Sequence, residues 1–206
     1  MKKNPYQGKF IVIEGIDGCG KSTQTGLLLD CLQHVHHRKA HGTSEPTASL
    51  IGGIIRSQIA EDWKSSNECL QLLFSADRLY HLEKEVIPLL KKGVAVISDR
   101  YFFSTLAYGA ATMGETDWLL RINDKIILPD IVFLLKISAK TGIERIHANR
   151  HGIKLFEKEK IVEKVARNYK QLAKQFRNIT VIVDGEQTIE KVAKEIQNIL
   201  VKRNLL

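Results

Sequence analysis

The chain has 206 residues, of which 44% are hydrophobic and 26% charged, a composition typical of one globular domain with a core of ordinary size. Its net charge of +8 lies in residues 136–178, where 12 basic residues outweigh 4 acidic ones, while the rest balances at 19 against 19. A charge excess confined to one segment indicates a local anionic partner, or none at all. No apolar run approaches the roughly 20 residues of a membrane-spanning helix, which excludes an integral membrane protein.

The predicted elements alternate between strands and helices along the whole chain. Apolar runs predict strands at 10–14, 94–98, 131–136 and 180–183, with a weaker candidate near 39–43. Helical patterns begin after residue 23 and then cover 48–59, 67–91, 102–113, 117–127, 141–149, 158–176 and 189–202. This alternation predicts a single α/β domain over 1–206, with a parallel sheet of about five strands covered by helices on both faces.

A phosphate-binding loop follows the first predicted strand. Residues 15–22 fit G-x-x-x-x-G-K-[ST] at every fixed position, between a strand and a helix, which is the context that the motif requires. Glycines let backbone N–H groups face phosphate oxygens, Lys21 can reach the β- and γ-phosphates, and the Ser22 hydroxyl can ligate Mg²⁺. The motif predicts a nucleoside triphosphate with Mg²⁺ in a three-layer P-loop NTPase fold. The loop residues predicted to bind it are Gly15, Ile16, Asp17, Gly18, Cys19, Gly20, Lys21, Ser22 and Thr23.

A second polar group follows the strand predicted at 94–98. Asp99 stands directly after it, which is the usual position of a carboxylate that organises Mg²⁺ and its waters. The alternative is a surface aspartate that caps the next helix. The case for a functional role improves because Arg100, Tyr101, Ser104 and Tyr108 follow, and supply a cation, two phenols and a hydroxyl for a second substrate.

The helix predicted over 67–91 carries two further candidates. Phe74 and Arg78 are four residues apart and therefore share one helical face. Phe74 could stack on a base, and Arg78 could hold a phosphate through its bidentate fork. Taken alone, Phe74 is more readily a core residue and Arg78 part of a surface ion pair. Their interpretation depends on the other motifs.

Taken together, these motifs resemble those of the thymidylate (dTMP) kinase family. The resemblance covers nearly the whole chain, and the combination of segments is highly specific. The segments beyond the phosphate loop are Glu45-Pro46-Thr47, Ile51-Gly52 with Ile55-Arg56, Phe74-Ser75-Ala76-Asp77-Arg78, Asp99-Arg100-Tyr101 with Ser104, Ala107-Tyr108, Pro129-Asp130, Glu144-Arg145 and Phe156-Glu157.

The resemblance implies direct in-line transfer of the γ-phosphoryl group of ATP to dTMP, with Mg²⁺, in a cytoplasmic homodimer. It implies that Asp17 and Glu45 place the sugar and metal-bound waters, and that Phe74 stacks on thymine. It further implies that Arg78 and Arg100 hold the monophosphate. The predicted substrate site is completed by Tyr101, Ser104 and Tyr108. The predicted metal site consists of Ser22 and Asp99. The predicted catalytic residues are Lys21, Asp17, Asp99, Arg100 and Arg150.

Two positions depart from the family pattern. Ser44 stands where the family often has an arginine before Glu-Pro, so one phosphate-binding cation is missing or supplied elsewhere, for example by Arg56. Cys19 occupies a loop position where some members carry a catalytic arginine, which shifts that role to the lid, about residues 145–158. Arg150 is the candidate there, whereas Arg145 is expected to flank the adenine.

Other functions remain open at this point. The nearest alternative is a kinase for another nucleoside monophosphate. A GTP-dependent switch would need an N/T-K-x-D motif, which the sequence lacks. A nucleic-acid-binding protein would need a helix-turn-helix signature, zinc-ligand spacing or an aromatic RNA-binding motif, and none is found. The three cysteines have no CxxC spacing, which indicates neither a disulfide framework nor a zinc site and favours a reducing compartment.

Overall fold

A five-stranded parallel sheet forms the centre of the computed structural model, which describes residues 1–149 and 159–205, with Asn149 described by its backbone alone. The strand order is β3-β4-β2-β6-β7, and a separate two-stranded parallel sheet joins β1 to β5. The strands are β1 Lys2–Lys3, β2 Phe10–Glu14, β3 Ala40–Ser44, β4 Ala95–Asp99, β5 Ile127–Leu128, β6 Ile131–Lys136 and β7 Thr180–Asp184. The predicted α/β class and the five-stranded parallel sheet are confirmed.

Helices flank this sheet, because strands buried on both faces need apolar cover on each side. Every residue of β2 is buried, and α5 packs on α8 while α1 packs on α9. The helices are α1 Lys21–Asp30, α2 Leu50–Ile59, α3 Asn67–His81, α4 Ile87–Lys91, α5 Phe102–Met113, α6 Thr116–Ile122, α7 Ala139–Asn149, α8 Glu159–Gln175 and α9 Ile189–Lys202. Among the described residues, no helix is both long and apolar enough to cross a membrane.

The helix predicted over 117–127 is wrong in its last part. Helix α6 ends at Ile122, and Ile127 begins the short strand β5. The chain turns at Asn123, whose side-chain amide donates to the carbonyl of Leu119 at 2.8 Å. A short apolar run such as 126–128 does not by itself distinguish a strand from a helix, so periodicity could not place this boundary.

The segment before α2 is held against α3 by one buried carboxylate. Asp77 accepts hydrogen bonds from the backbone N–H of Thr47 at 2.8 Å, from the Thr47 hydroxyl at 2.6 Å and from the Ser49 hydroxyl at 3.0 Å. Ser49 also caps α2 by accepting from the N–H of Gly52. These contacts fix the position of Glu45, which lies just before the segment.

Candidate active site

The phosphate loop adopts a conformation that depends on its glycines. Gly15, Gly18 and Gly20 all have positive φ, between +79° and +145°. A Cβ on Gly18 would overlap the carbonyl oxygen of Gly142 at the start of α7, so this position requires glycine sterically as well as conformationally. The loop therefore curls tightly between the end of β2 and the start of α1, with free N–H groups at the helix N-terminus.

Lys21 lies at the first position of α1 and is buried. Its Nζ donates to the carbonyl oxygens of Gly15 at 3.1 Å and Ile16 at 2.9 Å, so the ammonium group closes the loop on itself. An anionic phosphate would compete for these same donors, because charge-assisted hydrogen bonds are stronger than those to neutral carbonyls.

Ser22 and Asp99 form the oxygen-rich end of the site. Strand β4 ends at Asp99, which pairs in register with Ile13 of β2 and so lies beside the loop. The Ser22 hydroxyl donates to Asp99 Oδ2 at 2.5 Å. A hydroxyl and a carboxylate are hard oxygen ligands of the type that Mg²⁺ prefers, so this pair fits the metal. In the described part of the chain, no group of three or more His, Cys, Asp or Glu residues could hold an ion, so phosphate and water oxygens would complete the coordination.

Arg100 is held over the loop by three neighbours. Its Nη2 donates to Asp17 Oδ1, its Nη1 donates to Ser104 Oγ at 3.1 Å, and its guanidinium lies 5.5 Å from the Tyr108 ring centroid. The Tyr108 hydroxyl donates to the other oxygen of Asp17 at 2.9 Å. Burial lowers and the Asp17 carboxylate raises the pKa of Arg100; the net shift is well upward, and the cation stays charged.

The backbone of Arg100 is also unusual. Its φ is +73°, in the left-handed region that a non-glycine residue rarely adopts. The Arg100 carbonyl accepts from Ser98 Oγ at 2.6 Å, and its N–H donates to the carbonyl of Ile13 at 3.0 Å. Strained backbone held by its surroundings occurs preferentially at functional sites, so the conformation agrees with a functional role for this side chain.

A cavity of about 880 Å³ joins these groups. One side is the phosphate loop with Asp99 and Arg100, and the other is the segment between β7 and α9 with Arg145 from α7. Arg145 donates to the carbonyl of Gly185 at 3.2 Å. The predicted site residues that line the cavity are Asp17, Gly18, Cys19, Gly20, Lys21, Ser22, Thr23, Asp99, Arg100 and Arg145.

Arg78 and Glu45 form a buried ion pair away from the loop. Arg78 Nε and Nη2 lie 2.9 and 2.7 Å from Glu45 Oε2, and both side chains are almost fully buried. Nη1 donates to Asn123 Oδ1 at 2.6 Å and Nη2 to Thr105 Oγ1 at 2.9 Å. The other Glu45 oxygen lies 3.1 Å from His81 Nδ1. The structure thus places Arg78 in a satisfied network, where a phosphate would have to replace existing contacts.

Four predicted substrate residues differ in accessibility. Phe74 is half-buried and shares the α3 face that leads to Arg78, whereas Ser104 and Tyr108 contact the Arg100–Asp17 pair directly. Tyr101 is fully buried, its hydroxyl donates to the carbonyl of Ile127, and its ring packs edge-on against Phe10. The structure therefore does not bring the Tyr101 side chain to the cavity.

The remaining candidates lie elsewhere. Burial raises the pKa of the Cys19 thiol, against the charges of Lys21 and Arg100, which makes it a poor nucleophile. The Arg56 guanidinium donates to the carbonyls of Pro46 and Thr47. Arg150 and residues 150–158 of the predicted lid lie outside the described residues. The roles predicted for Arg150 and for the lid stay predictions.

Sequence reasoning missed four buried polar residues: Glu14, Thr105, Asn123 and His81. Glu14 is the end of an otherwise apolar strand, and a charged residue in such a run is the only signal that could have indicated it. Thr105, Asn123 and His81 stand in amphipathic segments with no local sign of their burial. Their role as partners of the Glu45–Arg78 pair depends on tertiary packing.

Comparisons with known proteins agree with this geometry. A family model for thymidylate kinase matches residues 13–196. The chain belongs to the thymidylate kinase family. The probable thymidylate kinase of Pyrococcus horikoshii is 40% identical over 208 aligned residues, covering 97% of this chain and 98% of that protein. The thymidylate kinase of Plasmodium falciparum is 33% identical over 198 residues, covering 95% of this chain and 91% of that protein.

A methanogen relative extends the comparison. The probable thymidylate kinase of Methanocaldococcus jannaschii is 36% identical over 187 residues, covering 91% of this chain and 93% of that protein. The thymidylate kinase match begins inside β2 and ends inside α9, so it includes the phosphate loop, the end of β4 and α3. Every group that forms the cavity therefore lies within the matched region.

Proposed function

We propose that this chain is a thymidylate kinase that transfers the γ-phosphoryl group of ATP to dTMP, giving dTDP and ADP. The observation that carries the proposal is that Arg100, next to Asp99 at the end of β4, lies beside the phosphate loop and lines the same cavity. A donor triphosphate on the loop and an acceptor phosphate on Arg100 would then meet in that cavity. Membership of the thymidylate kinase family supports dTMP as the acceptor.

ATP takes the loop side of the cavity in this proposal. The loop N–H groups and Lys21 bind its phosphates, while Arg145 and the segment 185–189 border the base. Ser22 and Asp99 would hold Mg²⁺, which would supply charge neutralisation at the phosphate oxygens. The protein's own contribution is to align two anionic substrates and offset their repulsion, since phosphoryl transfer needs positioning and charge stabilisation more than covalent chemistry.

In this proposal the acceptor nucleotide lies beside Arg100, toward Ser104 and Tyr108 of α5. Arg100 holds the monophosphate, Asp17 and Tyr108 lie at the sugar, and Phe74 stacks on the base. The Arg78–Glu45 ion pair is part of the buried network described above. In this arrangement Arg78 either supports the base pocket through its buried network or exchanges one of its contacts for the substrate. The catalytic arginine in the lid, Arg150, completes the proposed set.

We also propose that the enzyme is a cytoplasmic homodimer. Leu72, Ala76, Leu79 and Tyr80 form an exposed stripe along α3, at spacings that place them on one helical face. Leu50, on the helix α2 that packs against α3, is 84% exposed. Apolar patches of this kind mark protein–protein contacts, and a second copy of the chain would cover them symmetrically. Free cysteines support a reducing compartment.

A substrate panel tests the proposal. ADP release from ATP would be measured with dTMP, dUMP, dCMP, dGMP and dAMP, and dTMP is expected to have the highest kcat/KM. Arg100→Ala should lower kcat/KM for dTMP by at least about tenfold, since a charged hydrogen bond contributes roughly 1.5–3 kcal/mol. Arg121→Ala, at an exposed arginine on α6, is the control and should match the wild type. Preference for another monophosphate would contradict the specificity, and no stimulation by any of them would contradict the kinase activity.

A further inference from the structure

Glu14 is a carboxylate with no exposure to solvent, directly before the phosphate loop. A buried charge is costly unless hydrogen bonds satisfy it, so a residue of this type at the end of a central strand needs a reason. It does not line the cavity, and the mechanism proposed above does not use it. Its contacts nevertheless lead to the acceptor end of the site.

One oxygen of Glu14 caps helix α5 from outside the helix. Oε1 accepts from the backbone N–H of Tyr101 at 2.8 Å and from that of Ser104 at 3.2 Å. Helix α5 has no capping side chain of its own at Tyr101. Free N–H groups in the first turn of a helix favour a negative charge, so this oxygen fixes the start of α5 relative to β2.

The other oxygen accepts from two hydroxyl groups. Oε2 lies 2.7 Å from Ser104 Oγ and 2.9 Å from the hydroxyl of Tyr169 on α8. Burial raises the pKa of Glu14, while the Ser104 hydrogen bond, the charge of Arg100 and the Tyr169 hydrogen bond oppose that rise. All four neighbours within hydrogen-bond distance can donate, and each favours the ionised carboxylate.

Ser104 connects this carboxylate to Arg100. Ser104 Oγ lies 2.7 Å from Glu14 Oε2 and 2.9 Å from the Tyr169 hydroxyl. A serine hydroxyl has one hydrogen and two lone pairs, and because an ionised carboxylate can only accept, the Ser104 hydrogen is donated to Glu14. Its lone pairs therefore remain for Arg100 Nη1 at 3.1 Å. Donation to a carboxylate also polarises the hydroxyl, which makes its oxygen a better acceptor. Arg100 is thus anchored at two points, by Asp17 on Nη2 and by Ser104 on Nη1.

We propose that Glu14 is a positioning residue: its carboxylate orients the Ser104 hydroxyl as an acceptor for Arg100 and so fixes the guanidinium at the acceptor-phosphate end of the cavity. The inference rests on the proposed role of Arg100 toward the phosphate of dTMP. Because Glu14 acts through Ser104 and Arg100, it should affect the acceptor nucleotide and not ATP.

Glu14→Gln tests this with little change in shape. The amide oxygen still accepts from the N–H groups of Tyr101 and Ser104, so α5 stays capped. The new amide nitrogen, however, donates toward Ser104 Oγ, which then faces two donors, this amide and Arg100 Nη1. The substitution also removes the negative charge near Arg100. We expect kcat/KM for dTMP to fall about tenfold, with KM for ATP within about twofold of the wild type. Calorimetric titration with dTMP should show a similar loss of affinity.

The Arg100→Ala background separates positioning from a merely structural role. If Glu14 acts through Arg100, then Glu14→Gln should change kcat/KM for dTMP and dTMP affinity by less than about twofold in that background. Ser104→Ala, which keeps Glu14 and its backbone contacts, should reproduce the effect of Glu14→Gln without adding to it. Glu163→Gln, the same change at an exposed glutamate on α8, is the control and should stay within about twofold of the wild type.

Each result supports or overturns the inference. A full effect of Glu14→Gln in the Arg100→Ala background, or an equal rise in KM for ATP, would show that Glu14 acts by another route. If Ser104→Ala had wild-type kcat/KM and affinity for dTMP, the proposed connection from Glu14 through Ser104 to Arg100 would be overturned. This test holds even if Glu14→Gln fails to fold. If the wild type phosphorylates dTMP and Glu14→Gln has the same kcat/KM for dTMP, only this inference is contradicted. A wild-type enzyme inactive toward dTMP contradicts the proposed function instead.

Discussion

At the scale of single residues, the site is organised by charged side chains that are buried but matched. Arg100 keeps its charge because Asp17 lies against it, and Glu14 is surrounded by four hydrogen-bond donors. Burying a charged group costs desolvation free energy, and its hydrogen-bond and ion-pair partners determine whether that cost is offset. Removing one partner is therefore expected to cost more free energy at Arg100 than at an exposed arginine.

The raised pKa of Glu14 leads to a prediction about stability and pH. Its folded-state pKa lies above the ordinary value of 4.5, so the folded protein binds this proton more tightly than the unfolded chain. The free energy of unfolding therefore declines as pH rises through the unfolded-state and folded-state pKa values, because ionising the buried carboxylate carries a cost in the folded protein. Glu14→Gln removes that cost. We expect its Tm, relative to the wild type, to be higher at pH 8 than at pH 5, as measured by thermal unfolding.

An exposed glutamate provides the control for this measurement. Glu163→Gln on α8 should give a Tm difference from the wild type that is the same at both pH values. A Glu14→Gln difference that is larger at pH 5 than at pH 8 would contradict the expected direction.

At the scale of elements, the approach of α2 to the segment at 45–49 sets the position of Glu45. A Cβ on Gly52 would overlap the carbonyl oxygen of Thr47, so only glycine allows the helix to pass this closely. Gly53, the next residue on the same helix, has open space around its Cβ position apart from the end of Arg56. Gly53 therefore provides a matched control position for a substitution at Gly52.

We expect Gly52→Ala to lower the free energy of unfolding by about 1–3 kcal/mol, the usual cost of overpacking, and to raise KM for dTMP. Gly53→Ala should be neutral or stabilising by about 0.5–1 kcal/mol, because alanine favours the helix. Denaturant unfolding and kinetics on both variants check this. Equal effects at the two positions would contradict the steric argument.

At the scale of the whole molecule, the charge and the apolar surface have different interpretations. Among the described residues of 136–178, most of the basic side chains lie on α7 and α8, and Arg145 of α7 lines the cavity beside the phosphate loop. This arrangement supports a small anionic ligand over a nucleic acid. The apolar stripe of α3 lies on the helix that carries Phe74 and Arg78, so association of two chains would also hold the acceptor pocket in place.

Sedimentation tests the association. The double variant Leu72→Glu and Leu79→Glu places two charges on the stripe, and we expect it to sediment as a monomer where the wild type sediments as a dimer. Val201→Glu, at a residue 54% exposed on α9, is the control and should remain dimeric. A monomeric wild type, or dissociation by Val201→Glu to the same extent, would contradict an interface on α3.

The sequence by itself determined the class of fold, the phosphate loop and the resemblance to thymidylate kinases, because these depend on local patterns: apolar runs, glycine spacing and a lysine beside a helix start. Periodicity also placed most elements, with an error at α6 and β5 where a short apolar run was ambiguous. Asp99 and Arg100 were found because they directly follow a strand.

Only the tertiary structure decided which side chains meet. Tyr101 belongs to the predicted Asp99-Arg100-Tyr101 motif but points into the core, whereas Glu14, which carries no motif, connects the phosphate loop, α5 and α8. The Arg78 network likewise joins residues from four separate segments. The physical reason is that burial and hydrogen-bond partners come from contacts between residues distant in the chain, and no local pattern contains them.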